Sequence, residues 1–133
     1  YEYFEGTFAR LPDFGVLTAV RGGTVSRPDA AAGGGKEKYA LRFQGFIRAP
    51  RPGVYVFYLN SDDGSKLAVA GREVVAIDGI HGMTEEGGEI ALGAGWHEIE
   101  ILYFQSTGDL GLDLLWAGPG IKKGPVPAWS FGR

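Results

Sequence analysis

Gly53-Val54-Tyr55-Val56-Phe57-Tyr58-Leu59-Asn60-Ser61-Asp62-Asp63-Gly64-Ser65-Lys66-Leu67 joins a turn, a hydrophobic run, two adjacent carboxylates, a second turn and the start of another apolar run. Val54 to Leu59 carries apolar groups on both faces, which reads as a central strand covered on both sides. Before it stands Arg51-Pro52-Gly53, a turn in which Pro fixes one dihedral and Gly tolerates the next. Ahead of that turn, Leu41, Phe43, Ile47 and Ala49 share one face of an alternating run, while Arg42, Gln44 and Arg48 share the other. The two runs read as a hairpin. Gly45 interrupts the first of them and marks a bulge or a close approach of backbone.

The period of two continues along the chain. Lys66 to Ala70 is a short strand turned by Ala70-Gly71-Arg72 into Glu73 to Ile77. Asp78 to Gly88 reads as a long polar loop, and Glu89 to Leu92 as another short strand. Trp96 to Phe104 alternates, with His97, Ile99, Ile101 and Tyr103 opposing Glu98, Glu100, Leu102 and Phe104. Leu110, Leu112, Leu114 and Trp116 alternate in turn, and Trp116 belongs to the core on this pattern. Pro125 to Phe131 is expected to pair near Tyr3 to Phe8. Leu11 to Val20, with its Pro12, has room for one helical turn at most. Ser26 to Lys38, with Ala30-Ala31-Ala32-Gly33-Gly34-Gly35, reads as a flexible surface loop. Roughly ten short strands at this spacing predict an all-β fold, an antiparallel β-sandwich or barrel.

The chain has 133 residues, which suits a single domain over 1–133 with a proper core. We read it as one module excised from a larger protein. Its formal charge is -3, with both signs mixed and no basic stripe, which argues against a nucleic-acid surface. The longest apolar run is far shorter than a helix needs to cross a bilayer, so no membrane partner is expected. No Cys is present, which excludes thiolate nucleophiles and zinc-finger chemistry in this segment. The 23 Gly and 7 Pro are spread as punctuation between strands and not as a repeat.

Catalytic sets are absent. Gly33-Gly34-Gly35-Lys36 fails as a phosphate loop because Glu37 stands where a Ser or Thr is needed. Asp62-Asp63-Gly64 fails as an EF-hand loop because the alternating acidic positions and the distant Glu are missing. His97 shares a strand face with Ile99 and Ile101 and reads as a core or semi-buried residue; His81 reads as a residue that holds its own loop. The domain is therefore expected to be noncatalytic. Asp62 and Asp63 are the chemistry that remains. Successive side chains on a strand point to opposite faces, so the pair can act on one ion only if the backbone between them turns sharply or adopts a cis peptide. The other reading is a tight Asp63-Gly64 turn with Asp62 accepting backbone hydrogen bonds beside it.

The order of residues resembles the PA14 domain family. The matching positions are Phe43-Gln44-Gly45-Phe46-Ile47, Pro52 to Phe57, Ser61-Asp62-Asp63-Gly64-Ser65, Val74-Val75 with Asp78-Gly79 and His81, Leu92 with Gly95, His97-Glu98-Ile99, Tyr103, Leu112 to Trp116, and Pro127-Ala128. The opening Tyr1 to Gly6 and the Trp116-Ala117-Gly118-Pro119-Gly120 segment are similar to PA14 modules appended to bacterial β-N-acetylhexosaminidases and related carbohydrate-active enzymes. The resemblance implies a secreted, periplasmic or cell-surface bacterial protein. It implies a noncatalytic module that binds glycans, or else an accessory domain that packs on a glycoside hydrolase catalytic domain of the same polypeptide and binds no sugar itself. In the family's adhesins two cis-linked aspartates hold calcium, and the calcium holds sugar hydroxyls; those aspartates correspond to Asp62 and Asp63. A second calcium loop supplies an Asn in the adhesins. Here Gln105 takes that position, and Asp109 offers a carboxylate close behind it. Among the aromatics, Trp96 follows a turn and Trp129 lies near the chain end. Those places leave room for either to be exposed, with packing as the other reading, and Trp96 is the candidate for stacking on a sugar.

Overall fold

The computed structural model describes residues Tyr1–Arg133. Eleven strands follow in order: β1 (Glu2–Glu5), β2 (Arg21–Gly22), β3 (Tyr39–Ala49), β4 (Gly53–Asp62), β5 (Ser65–Val69), β6 (Arg72–Ile77), β7 (Thr84–Leu92), β8 (Gly95–Gln105), β9 (Gly111–Gly118), β10 (Ile121–Pro125) and β11 (Phe131–Gly132). They form two antiparallel sheets. One runs β2-β1-β3-β8-β5-β6 with β11 also on β3; the other runs β10-β9-β4-β7. The fold is an all-β sandwich, as the alternation predicts.

The core fills the space between the sheets. Leu41, Phe43, Ile47 and Ala49 of β3 meet Ile99, Ile101 and Tyr103 of β8 on one inner face. Tyr55, Phe57 and Leu59 of β4 meet Leu112, Leu114 and Trp116 of β9 on the other. Trp116 packs its ring on Tyr55 and Phe57, with centroids 5.8 and 6.2 Å away. Each fully buried large apolar side chain contributes about 1.5–3 kcal/mol of transfer free energy. A smaller cluster of Phe4, Phe14, Ala40 and Phe104 closes the outer side of the larger sheet, with Phe14 delivered by a single 3-10 turn, Phe14–Val16.

The structure departs from the sequence reading at five places. Arg51-Pro52-Gly53 does not close a hairpin: β3 pairs with β1, β8 and β11, whereas β4 pairs with β7 and β9, so the turn carries the chain from one sheet to the other. β4 is central in its sheet, but its outer side is open, and Val54 is exposed. Pro125 to Phe131 does not pair with the N-terminal strand. Phe131 and Gly132 instead take the half of the β3 edge that β1 leaves free, opposite Ile47 and Phe46. The Ser26 to Lys38 loop is not wholly at the surface, because Ala30 in a 3-10 turn is buried in the main core.

The expected loop at Asp78–Gly88 is also shorter, since Thr84 to Gly88 ladder onto β4. Glycine there has a reason: a Cβ on Gly88 would collide with the Val74 carbonyl, and one on Gly87 would come 2.8 Å from the Tyr58 ring. Gly45 is the close approach and not a bulge. The β3–β8 register runs unbroken past it, and a Cβ would stand 2.6 Å from the Gly132 carbonyl oxygen.

Candidate functional site

One rim of the sandwich gathers the end of β4, the Asp62–Gly64 link into β5, the loop after β6 and the end of β8. The Asp62–Asp63 peptide bond is cis, and the two carboxyl groups lie within hydrogen-bonding reach of each other. Because β4 and β5 belong to different sheets, this link crosses the mouth of the core.

Asp63 is held on both oxygens. Its Oδ1 accepts from the His81 backbone N–H at 3.2 Å and its Oδ2 from the Ser106 N–H at 2.8 Å. Its carbonyl accepts from Ser61 Oγ at 2.8 Å, and Ser61 Oγ shares a further 2.6 Å hydrogen bond with Ser65 Oγ. The Phe104 N–H donates to the Gly64 carbonyl at 3.0 Å. Tyr103 comes up from the core and donates its hydroxyl to the Asp62 carbonyl at 2.6 Å. Burial raises the Tyr103 phenol far above its ordinary pKa, followed by its neighbour Tyr39, so it remains the protonated donor this bond needs. Ser61, Asp63, Ser65, Tyr103 and Gln105 are all buried. Such a network is stable only when nearly every member has a partner.

Two groups break that rule. Asp62 is a buried residue, yet no backbone N–H, hydroxyl or amide donates to its carboxylate, whose one protein neighbour is the Asp63 carboxyl group. Its pKa is raised, first by burial, then by the charge and shared proton of Asp63, then by Asp109; His81 pulls the other way. The second group is Gln105. Its Nε2 donates to the carbonyls of Gly108 and Asp109 at 3.0 and 3.1 Å, while its Oε1 is buried without a partner. A buried, unmatched amide oxygen costs about 1–3 kcal/mol. Both groups keep oxygens with acceptor capacity that the protein does not use.

His81 is a strut and not a ligand. Its Nδ1 lies 2.7 Å from the Gly82 carbonyl and its Nε2 2.9 Å from the Ile77 carbonyl. Only the imidazolium donates from both nitrogens. Burial lowers its pKa, but the two carbonyls, then Asp63 and Asp62, raise it further, and the net shift is upward. No third carboxylate or free imidazole joins the aspartate pair to make a larger ligand cluster. The donors available to a hard cation are therefore two carboxylates and neutral oxygens, a set that suits calcium with some positions left for outside ligands.

Of the residues singled out in the sequence, Asp62, Asp63 and Gln105 meet at this rim, and Asp109 stands near enough to act on Asp62 through its charge. Trp96 does not join them. It lies at the other end of β8, about 30 Å away along the strand, half-exposed. Trp129 is exposed. His97 is half-buried and bonds the Gly93 carbonyl at 2.7 Å. Sequence reasoning missed the roles of Tyr103 and Ser106, which depend on β8 pairing with β5. A cavity of about 460 Å³ lies elsewhere, under Gly23–Pro28 and against Phe43, Ile99 and Phe131. Glu98 is its one acidic residue, so it lacks the carboxylate pair that makes the rim chemically distinctive.

Solved structures place this geometry among known folds. An anti-sigma factor domain-containing protein from Clostridium clariflavum is 28% identical, with a TM-score of 0.75 over 98% of this chain and 46% of that one. A PA14 sugar-binding domain from an RTX adhesin is 25% identical, with a TM-score of 0.63 over 71% of this chain and 54% of that one. The PA14 domain of the MpAFP antifreeze protein superposes with a TM-score of 0.73 over 98% of this chain and 87% of that one; at 15% identity it speaks for the fold alone. The chain thus spans about half the length of the first two. No curated protein sequence matches it. The PA14 domain family matches residues 24–128, most of the sequence, and the chain belongs to that family.

Proposed function

We propose that this chain is a noncatalytic carbohydrate-binding module of a secreted or cell-surface protein, and that Asp62 and Asp63 hold a calcium ion whose open positions take sugar hydroxyls. The observation that carries the reading is the Asp62 carboxylate: on a buried residue, beside a second carboxyl group, and without a backbone, hydroxyl or amide donor. Asp63 is already oriented by two backbone N–H groups and keeps lone pairs free. Gln105 offers an unmatched amide oxygen. Calcium accepts this kind of oxygen set, and when bound it supplies positive charge for vicinal hydroxyls. The sugar-binding PA14 domain of the RTX adhesin supports the ligand class. Attached to an enzyme or an adhesin, such a module raises the effective concentration of its partner at a glycan surface.

Two carboxylates make a weak site. A calcium Kd in the range of about 0.1–1 mM, the range of extracellular modules, is expected. The test is a glycan array on the isolated chain with calcium and with chelator. Binding that chelator abolishes supports the reading, and silence under both conditions sinks it.

A second reading has its own observation. The outer side of the four-stranded sheet presents an exposed Val54 with half-buried Val56, Leu115 and Ala117. In this reading that face packs on a glycosidase catalytic domain of the same polypeptide, and the module is a structural accessory. Protection of Val54 and Val56 amides in the longer protein, with no glycan bound to either form, is the outcome it expects.

A further inference from the structure

The end of β8 remote from the aspartate pair carries a feature that the calcium reading leaves unused. Trp96 stands opposite Arg48; in the next outward row Glu98 stands opposite Phe46, and Phe46 opposite Gly132. Directly opposed residues of antiparallel strands share a face, so these five form one block on the outside of the larger sheet. The Trp96 indole crosses β3 to reach β11: its Cζ3 and Cη2 lie 3.0 and 3.2 Å from where a Cβ on Gly132 would stand. Gly45 makes the same corner possible, since a Cβ there would sit 2.6 Å from the Gly132 carbonyl and hold β11 away from β3. The ring is thus seated by glycines while 52% of Trp96 stays exposed, with Phe46 beside it 37% exposed.

The surrounding polar groups are divided. Further along this face, Arg42 meets Glu2 at 3.2 Å and Glu100 at 3.8 Å, and Gln44 donates to Glu100 at 2.9 Å. Arg48 and Glu98, which flank the indole, enter none of the chain's ion pairs. A seated flat ring with an unengaged donor and an unengaged acceptor at its edge is a recognisable chemistry. Two rings are too small an apolar area for a stable protein interface, which needs about 800 Å² on each partner. They suit a pyranose. A gluco-configured ring carries its hydroxyls equatorially and presents C–H bonds on both faces, whose positive edges meet the negative face of an indole. The equatorial hydroxyls then fall within reach of a guanidinium and a carboxylate.

We propose that the Trp96–Phe46 face is a second carbohydrate site, independent of any cation, for β-1,4-linked gluco-configured chains. A sugar unit stacks on Trp96, its neighbour rests against Phe46, and Arg48 and Glu98 bind hydroxyls. The site shares its class of ligand with the aspartate rim and none of its residues. Because the two ends of β8 lie about 30 Å apart, one module can hold a glycan at each end.

Cellohexaose titrated into the full chain in the presence of chelator tests this, followed through the indole Nε1–H resonances. The expected result is a saturable shift of Trp96, with the buried Trp116 unmoved and a Kd on the order of 1 mM. Trp96→Ala is expected to weaken binding at least about tenfold and Trp96→Phe only a few-fold. Phe46→Ser, at an exposed position, weakens it by about threefold and guards against a folding defect in the first variant. No shift of Trp96, or a shift of Trp96 that vanishes only when calcium is withheld, overturns the proposal. Failure here leaves the aspartate rim untouched, because chelator has removed that site from the measurement; failure of the rim leaves this titration unchanged.

Discussion

At the Gln105 end of β8, buried polar groups hold one another in place; at the Trp96 end, two glycines clear a floor for an exposed ring. The first region is held by the buried hydrogen bonds of Ser61, Asp63, Ser65 and Tyr103. Its unfinished business is concentrated in the Asp62 carboxylate and the Gln105 amide oxygen. The second region owes little to hydrogen bonds and much to absent side chains. One long strand thus ends in a buried polar network on one side and a bare aromatic ring on the other, because the fold places its ends in different surroundings.

The largest effect is expected from crowding the polar end. A Cβ on Gly64 would strike the Phe104 ring and stand 3.1 Å from both Asp78 Oδ1 and the Gly79 nitrogen. All three are fixed: Phe104 is buried, and Asp78 Oδ1 already accepts from Leu11 and Gly79. Gly64→Val is expected to lower stability by about 3 kcal/mol or more in urea unfolding. Tyr103→Phe comes next. It strips the Asp62 carbonyl of its donor and leaves it buried, at a cost of about 1–3 kcal/mol by the same measurement.

Asp62→Asn has the opposite sign and a smaller size. The raised folded-state pKa of Asp62 means its ionised form is disfavoured by folding. Its contribution to stability is present in full below the unfolded pKa and is lost as pH rises through the folded pKa. The variant is therefore expected to be more stable than the parent at neutral pH, by under about 1 kcal/mol, and the difference should shrink as pH falls towards 4. Thermal unfolding in chelator across that range checks the sign. The smallest effect is expected at the apolar end: Gly132→Ala meets only the rim of a half-exposed indole, which can swing outward. A loss of a few tenths of a kcal/mol, with a clear change in Trp96 fluorescence, is the expected outcome.

How far this architecture was legible follows from which signals are local. The alternation of Leu112, Leu114 and Trp116, or of Leu41, Phe43 and Ile47, reports a buried face directly, and those faces are buried. Arg51-Pro52-Gly53 reports a reversal of the chain but not the partner that follows it, so a crossover between sheets and a hairpin look alike. Thr84 to Gly88 is composed like a loop because glycine is required beneath Tyr58 and Val74, a constraint visible only once β7 lies on β4. The same division holds at the rim. Asp62 and Asp63 stand out as a doublet, and Gln105 follows from the resemblance. The Ser106 N–H and the Tyr103 hydroxyl reach them only through the pairing of β5 with β8, which no local pattern encodes.

A calcium titration of the chain by NMR, run beside Asp62→Asn, decides whether the aspartate rim holds the ion. Saturable shifts at His81, Gln105 and Ser106 with a Kd of about 0.1–1 mM are expected, with a rise in melting temperature as calcium exceeds that value and neither effect in the variant. A parent spectrum that stays unchanged at about 10 mM calcium, tenfold or more above that Kd, would contradict it.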